Sequence, residues 1–202
     1  MLRERHGGLD PARTETLKAL RVPFLVYAPL GLLLLALCLL SPITISSALG
    51  LASLGFLLWT LLEYLFHRYL LHLLPRGRLR RLMAGRHTLH HKSPIGHPGI
   101  VLLWVSALQG GLFFAALCAA TGLDVATGIM SGLVAGYLGY EYLHLRAHTV
   151  ESPRSRWSRM LRAHHIVHHE RSARTNYAIT LPLWDLIFGT AWHGPSRARR
   201  RA

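Results

Sequence analysis

Acidic side chains are scarce: nine Asp and Glu stand against 23 Lys and Arg, leaving a formal net charge of +14 over 202 residues. A single Glu-x-x-His pattern occurs, Glu141 to His144. The chain therefore does not build the carboxylate-rich metal centre of soluble bundles, which uses such motifs in pairs. Cysteine is scarcer still. Cys38 and Cys118 both lie inside apolar runs, where a small buried thiol is the ordinary state and a disulfide framework has no support. Charge is missing altogether from four stretches, 22–40, 43–62, 100–123 and, shorter, 125–140. Runs of about 20 uncharged apolar residues match the thickness of a bilayer. That pattern excludes a soluble domain and a disordered chain. The sequence also has no internal repeat, and the basic N-terminus leads into an apolar run too long for a removable signal peptide.

The cations are unevenly placed. They fall in three blocks, 3–21, 68–92 and 146–201, with none in the turns near Ser41-Pro42 and Asp124. The expected architecture is an all-α integral membrane protein with about four transmembrane helices, near 22–40, 43–66, 100–123 and 125–142. The positive-inside bias puts the three basic blocks, both termini and all 14 histidines on the cytoplasmic side. A basic arm (1–21) then precedes one membrane domain (22–202), whose cytoplasmic cap comprises 67–99 and 143–202. The Arg-rich tail at 197–201 suits anionic lipid headgroups and topology better than nucleic acid, for which no binding module is present. The lean, Arg-rich chain points to a bacterial inner membrane.

Two helices are expected to run beyond their spans. From Ile43 no breaker occurs until Pro75, so a helix of roughly 48 Å, at about 1.5 Å per residue, would carry His67 and His72 past a hydrocarbon core of about 30 Å. The fourth span likewise continues through Glu141 and His144 to His148. Pro23 and Pro29 are expected to bend the first helix. Pro153 opens a basic amphipathic helix ending near His169, and the apolar piece 177–192 reads as interfacial.

Ten histidines fall in four clusters: His67 with His72; His87, His90 and His91; His144 with His148; His165, His168 and His169. Residues three and four apart share a helical face, so the last three clusters should each present their imidazoles in one direction. His67 and His72 are five apart, which demands a local distortion or a site flanked from two sides. Neutral imidazole is the commonest protein metal ligand and suits Zn, Cu, Fe or Ni. Ten are too many for one ion and about right for two.

These boxes resemble those of the fatty acid hydroxylase and sterol desaturase superfamily of membrane di-metal oxygenases, and most of all its fatty acid 2-hydroxylase branch. The likeness runs from about Leu57 to Thr190. It includes Glu63-Tyr64-Leu65-Phe66-His67-Arg68 with His72, and His87-Thr88-Leu89-His90-His91-Lys92-Ser93-Pro94. It continues through Gly136-Tyr137 to His144 and His148, Ala163-His164-His165-Ile166-Val167-His168-His169, Leu183-Trp184-Asp185 and Phe188-Gly189-Thr190.

The resemblance implies that His67, His72, His87, His90, His91, His144, His148, His165, His168 and His169 hold two iron ions, with zinc able to enter purified material. It implies dioxygen as co-substrate and a lipid substrate, a fatty acyl chain before a sterol or carotenoid, with hydroxylation and desaturation both open. A fused b-type cytochrome is common in that branch. Here His97-Pro98-Gly99 only imitates its haem motif, so electrons are expected from a separate ferredoxin or b-type cytochrome and its reductase. His6, His97, His164 and His193 match no ligand position. Metal-bound imidazoles usually donate their other N–H to a carboxylate or carbonyl, and Glu63 and Glu141 are expected to take that role rather than to pair with Arg68 and Arg146. Asp185 is expected to brace the C-terminal segment against a basic partner. Tyr137, Tyr140, Trp104, Trp184 and Trp192 are placed to line or gate an acyl path, though the expectation preferred for them is that of ordinary interfacial aromatics. The non-enzymatic alternatives are a metal transporter, disfavoured because no span has a histidine in its middle, and a membrane-surface zinc scaffold.

Overall fold

In the computed structural model, residues 11–95, 103–150 and 152–194 are described, and among them every regular element is helical. In chain order these are α1 (Pro11–Leu39), α2 (Ile45–Leu65), a π-helical continuation (Phe66–Leu73), α3 (Arg78–Lys92), α4 (Leu103–Thr121), α5 (Leu123–Thr149), α6 (Arg156–Glu170) and α7 (Leu183–Ile187). Each boundary has a local cause. Thr44 caps α2, its hydroxyl accepting from the Ser47 amide at 3.1 Å. The α2 continuation stops at Leu74, whose extended backbone is what a following proline imposes. Ser155 caps α6 through the amide of Ser158 at 3.0 Å.

Helix α1 starts eleven residues ahead of the apolar span expected at 22 and runs through both Pro23 and Pro29. The lower part of the basic arm is thus helical and continuous with the span. Arg21–Leu39 and Ile45–Leu73 are long and apolar enough to cross a membrane, and Ser106–Thr121 forms a shorter apolar helix. Their outward faces carry exposed Leu25, Leu32, Leu49, Leu54, Leu108 and Leu112, an apolar surface of the kind that marks contact with a membrane or another protein.

Helix α5 is the axis of the bundle, packed chiefly against α2 and α1. Its interior face is built from Gly128, Gly132 and Gly136, one turn apart. A Cβ at Gly132 would overlap the carbonyl oxygen of Ala52, and one at Gly55 of α2 would overlap the carbonyl oxygen of Ile129. At Gly136 it would come within 2.6 Å of the Trp59 side chain. Small residues let two backbones touch where lipid offers no hydrophobic incentive to pack. Tyr27, Leu34, Val134 and Tyr137 fill the space between α1 and α5. Because α2 and α5 are locked together here, the histidines they carry beyond this crossing are held in fixed relation.

Candidate metal centre

The sequence needed a distortion at His67 and His72, and the structure supplies it as the π-helical segment. With i to i+5 hydrogen bonding, residues five apart become neighbours on one face. His67 Nε2 and His72 Nε2 consequently lie 3.1 Å apart. π-Helical turns are rare and frequently occur at functional sites.

The ten clustered histidines come together as two groups of five. One comprises His67, His72, His87, His91 and His168, the other His90, His144, His148, His165 and His169, and within each group one nitrogen of every ring lies within 4.8 Å of all the others. The expectation of one shared direction per cluster holds for His144 with His148, which both join the second group, and is corrected for the clusters on α3 and α6. Helix α3 sends His87 and His91 to the first group and His90 to the second, while α6 sends His168 to the first and His165 and His169 to the second. Neighbouring residues on a helix diverge by about 100°, so each helix lies between the groups and feeds both. The groups adjoin where the rings of His91 and His169 stack at 4.1 Å.

In the first group the Nε2 atoms of His87 and His72 are 2.8 Å apart, His67 and His87 3.1 Å, His91 and His87 3.1 Å, and His168 and His91 3.2 Å. His67 and His168 direct Nδ1 to the carbonyl oxygens of Tyr177 and Thr175, at 2.5 and 2.7 Å. With their protons on Nδ1, their Nε2 lone pairs point inward at other nitrogens. In the second group His148 and His165 approach at 2.9 Å through Nε2. His144 Nε2 and His169 Nε2 are buried with no hydrogen-bond partner, a costly state unless a cation receives the lone pairs. Donors about 2.1 Å from a shared ion stand about 3.0 Å apart at right angles and about 3.4 Å apart in a tetrahedron. The observed separations fit the right-angled arrangement.

Burial, then the neighbouring imidazoles, push His87, His165 and His168 well below the usual histidine range, and burial followed by His90 brings His91 down to about 4. Imidazoles so placed are neutral at ordinary pH, the form that binds a metal.

The carboxylates hold a strap of chain, 175–180, against the first group. Glu63 does not touch an imidazole as expected from sequence. Its Oε1 accepts from the amides of Ile179 and Thr180 at 2.6 and 2.7 Å, and its Oε2 accepts from the Thr180 hydroxyl. Arg68 and Arg146 pair with neither glutamate but donate to the phenol oxygens of Tyr64 and Tyr142. Glu141 is buried, one turn before His144 on α5. Asp185 is fully buried and braces the same strap: Oδ1 accepts from the amide of Tyr177 and the hydroxyl of Thr190, Oδ2 from the amide of Ala178 and from His164 Nε2 at 2.9 Å. Its basic partner is therefore a histidine, and His164 stands outside both groups. His193 is exposed, while His6, His97 and the Trp104 side chain lie outside the described residues. Of the aromatic residues, Tyr137 packs with Tyr27 and Trp59, Tyr140 lies 5.5 Å from the His144 ring, and Trp184 donates to the Thr60 hydroxyl at 2.9 Å. Sequence reasoning missed Asn176, Tyr177 and Thr180. The positive φ of Asn176 has only the residue type as its signal, since Asn tolerates that region.

Helices leaving an apolar bundle to surround two imidazole groups define an all-helical fold with two candidate metal sites, and the sequence model of the Fatty acid hydroxylase family matches residues 52–190. The chain belongs to that family. Over 147 residues it is 35% identical to the fatty acid 2-hydroxylase of Homo sapiens, covering 70% of this chain and 39% of that one. It is 29% identical over 140 residues to a dihydroceramide fatty acyl 2-hydroxylase of Arabidopsis thaliana, covering 67% of this chain and 58% of the relative. Among solved structures it is similar to one titled "Full length scs7p (only hydroxylase domain visible)", with a TM-score of 0.76 and 25% identity over 88% of this chain and 67% of that one. The chain thus spans about two-fifths of the length of its human relative.

Proposed function

We propose that this protein is a membrane lipid hydroxylase that inserts one oxygen atom of dioxygen into a C–H bond of a fatty acyl chain, free or in a ceramide-like lipid. The observation that carries this reading is the pair of adjoining five-imidazole groups at the ends of helices that emerge directly from an apolar bundle. Five neutral donors at right-angled spacing suit a cation of five or six coordination better than tetrahedral zinc, and two iron ions are the occupants assigned. His67, His72, His87, His91 and His168 hold one; His90, His144, His148, His165 and His169 hold the other. Bound there, a redox-active pair supports the overall change RH + O2 + 2e⁻ + 2H⁺ → ROH + H2O.

The chain's own residues do the rest. The carbonyls of Tyr177 and Thr175 hold the Nδ1 protons of His67 and His168, so that Nε2 remains a donor. Glu141, buried beside the second group, is assigned to orient it. The depth of the site admits a lipid: His67 is two residues past the end of α2, so an acyl chain lying along the apolar helices reaches the imidazoles without leaving the bilayer. Four spans are assigned to the uncharged apolar runs, both termini and the imidazole groups to the cytoplasmic side from the placement of the cations, and a bacterial inner membrane from the lean, Arg-rich composition. The two electrons come from a donor outside these residues, a ferredoxin or a b-type cytochrome with its reductase.

Mass spectrometry of total lipids tests the reading in host cells lacking the gene and supplied with either the wild-type chain or His90→Ala. A lipid heavier by one oxygen atom, present only with wild type, is the expected result. Loss of two hydrogens instead would convert the assignment to desaturation. No wild-type-dependent change in aerobic cells expressing both proteins would overturn the enzymatic reading.

A further inference from the structure

The strap 175–180 serves the two imidazole groups unequally. Its five consecutive amides, 176–180, all donate to buried or half-buried acceptors: Asn176 to the carbonyl of Thr190 at 2.9 Å, Tyr177 and Ala178 to Asp185, Ile179 and Thr180 to Glu63. At its head Asn176, only 3% exposed and with φ of 55°, is tied by its own side chain. Nδ2 donates to the His164 carbonyl at 3.0 Å, and Oδ1 accepts from the Trp192 amide at 2.7 Å. The chain therefore turns at Asn176, and the carbonyls on either side of that turn, Thr175 and Tyr177, both meet imidazoles of the first group. In the second group, by contrast, the Nδ1 atoms of His165 and His169 are buried without any hydrogen-bond partner.

Taking the metal-centre reading above as its basis, we propose that Glu63 and Asp185 are positioning residues for the first metal group alone, acting through the strap they clamp. Two acids from opposite ends of the chain, 122 residues apart by number, spend their lone pairs on strap amides rather than on an imidazole. They determine where two backbone carbonyls stand, and those carbonyls determine which nitrogen of His67 and His168 carries the proton and how each ring is aimed. In Asp185→Asn an N–H replaces one acceptor oxygen and opposes a strap amide. Glu63→Gln does the same from the α2 side. Loss of a partner that orients a metal-bound histidine typically lowers metal affinity about 10–100-fold, and here only one of two ions should feel it.

The test is cobalt(II) titration of the full chain in detergent against a competing chelator, read by bound cobalt per chain and by visible absorption. Two backgrounds isolate the groups: His144→Ala with His148→Ala leaves the first, and His87→Ala with His91→Ala leaves the second. Asp185→Asn is expected to weaken binding about 10–100-fold and change the spectrum in the first background, and to alter neither in the second. Glu63→Gln is expected to follow the same pattern. Equal effects in both backgrounds, or none in the first, would overturn the assignment. So would loss of helical circular dichroism in both variants, which would make the carboxylates folding residues. If the wild type bound no cobalt, or neither background removed an ion, the metal-centre reading itself would fall, a result distinct from the others.

Discussion

Replacing Gly132 by alanine puts a methyl group where α5 touches α2. Its Cβ would overlap the carbonyl oxygen of Ala52 and lie 2.7 Å from the amide nitrogen of Phe56. Both neighbours are backbone atoms, so no side chain can rotate away and the two helices must part. Overpacking of this kind costs about 1–3 kcal/mol, and a site closed by main chain on both sides belongs at the upper end. The intrinsic gain from Gly to Ala in a helix returns about 1 kcal/mol, leaving a net loss of about 2 kcal/mol. For a chain of this size that lowers the unfolding midpoint by about 4–8 °C. Gly111 of α4 is the matched control, since a Cβ there meets nothing within 4 Å. Gly111→Ala keeps the propensity gain without the clash, so its midpoint should hold or rise. Thermal unfolding of the three proteins in one detergent, followed by circular dichroism at 222 nm, decides it. Equal midpoints for Gly132→Ala and wild type, or a fall as large in Gly111→Ala, would refute the close α2–α5 crossing as the scaffold of the site.

Other outcomes follow from the same geometry. The metal-free protein should lose stability on acidification. His91 titrates near 4 when folded and His87, His165 and His168 are also depressed, while the unfolded chain binds those protons near 6.5. Between these values the unfolded state holds more protons, so stability falls as pH drops from about 6.5 towards 4; an unfolding midpoint unchanged between pH 7 and 5 would contradict the burial of the imidazoles. His164→Gln, which keeps a donor for Asp185, should retain two ions per chain by elemental analysis, whereas His165→Gln should reduce the second group's affinity; equal losses would erase the distinction between these neighbours. Tyr64 is fully buried and its hydroxyl links Arg68 to Thr190, so Tyr64→Phe should cost about 1–3 kcal/mol in chemical denaturation, and no change would remove that link from the fold.

How much was legible beforehand depended on the range of the interaction. The long helix through His67 and His72, the continuation of α5 to His148 and the set of ten clustered histidines could all be read from apolar runs, missing breakers and spacing. These are local properties, carried by residues within a turn or two of one another. Spacing also announced that His67 and His72 were misplaced on an α-helix, though not that a π-helical segment would reconcile them. Glu63 shows where that range ends. Its nearest histidine in sequence is four residues away, yet its hydrogen bonds fall on Ile179 and Thr180, over a hundred residues along the chain.

The apolar helices, the confinement of the cations to three blocks and the supply of ten imidazoles are all written in the order of residues, because helix formation and hydropathy are set by neighbours in the chain. Long-range packing is what sets α3 and α6 each between two groups, dividing their histidines, and lays the strap 175–180 against one group under Asp185 and Glu63. A helical period states which residues share a face, but not what that face will meet. The partner is selected by the packing of α2 on α5, where absent side chains at Gly55 and Gly132 bring two backbones into contact and so fix every histidine beyond them.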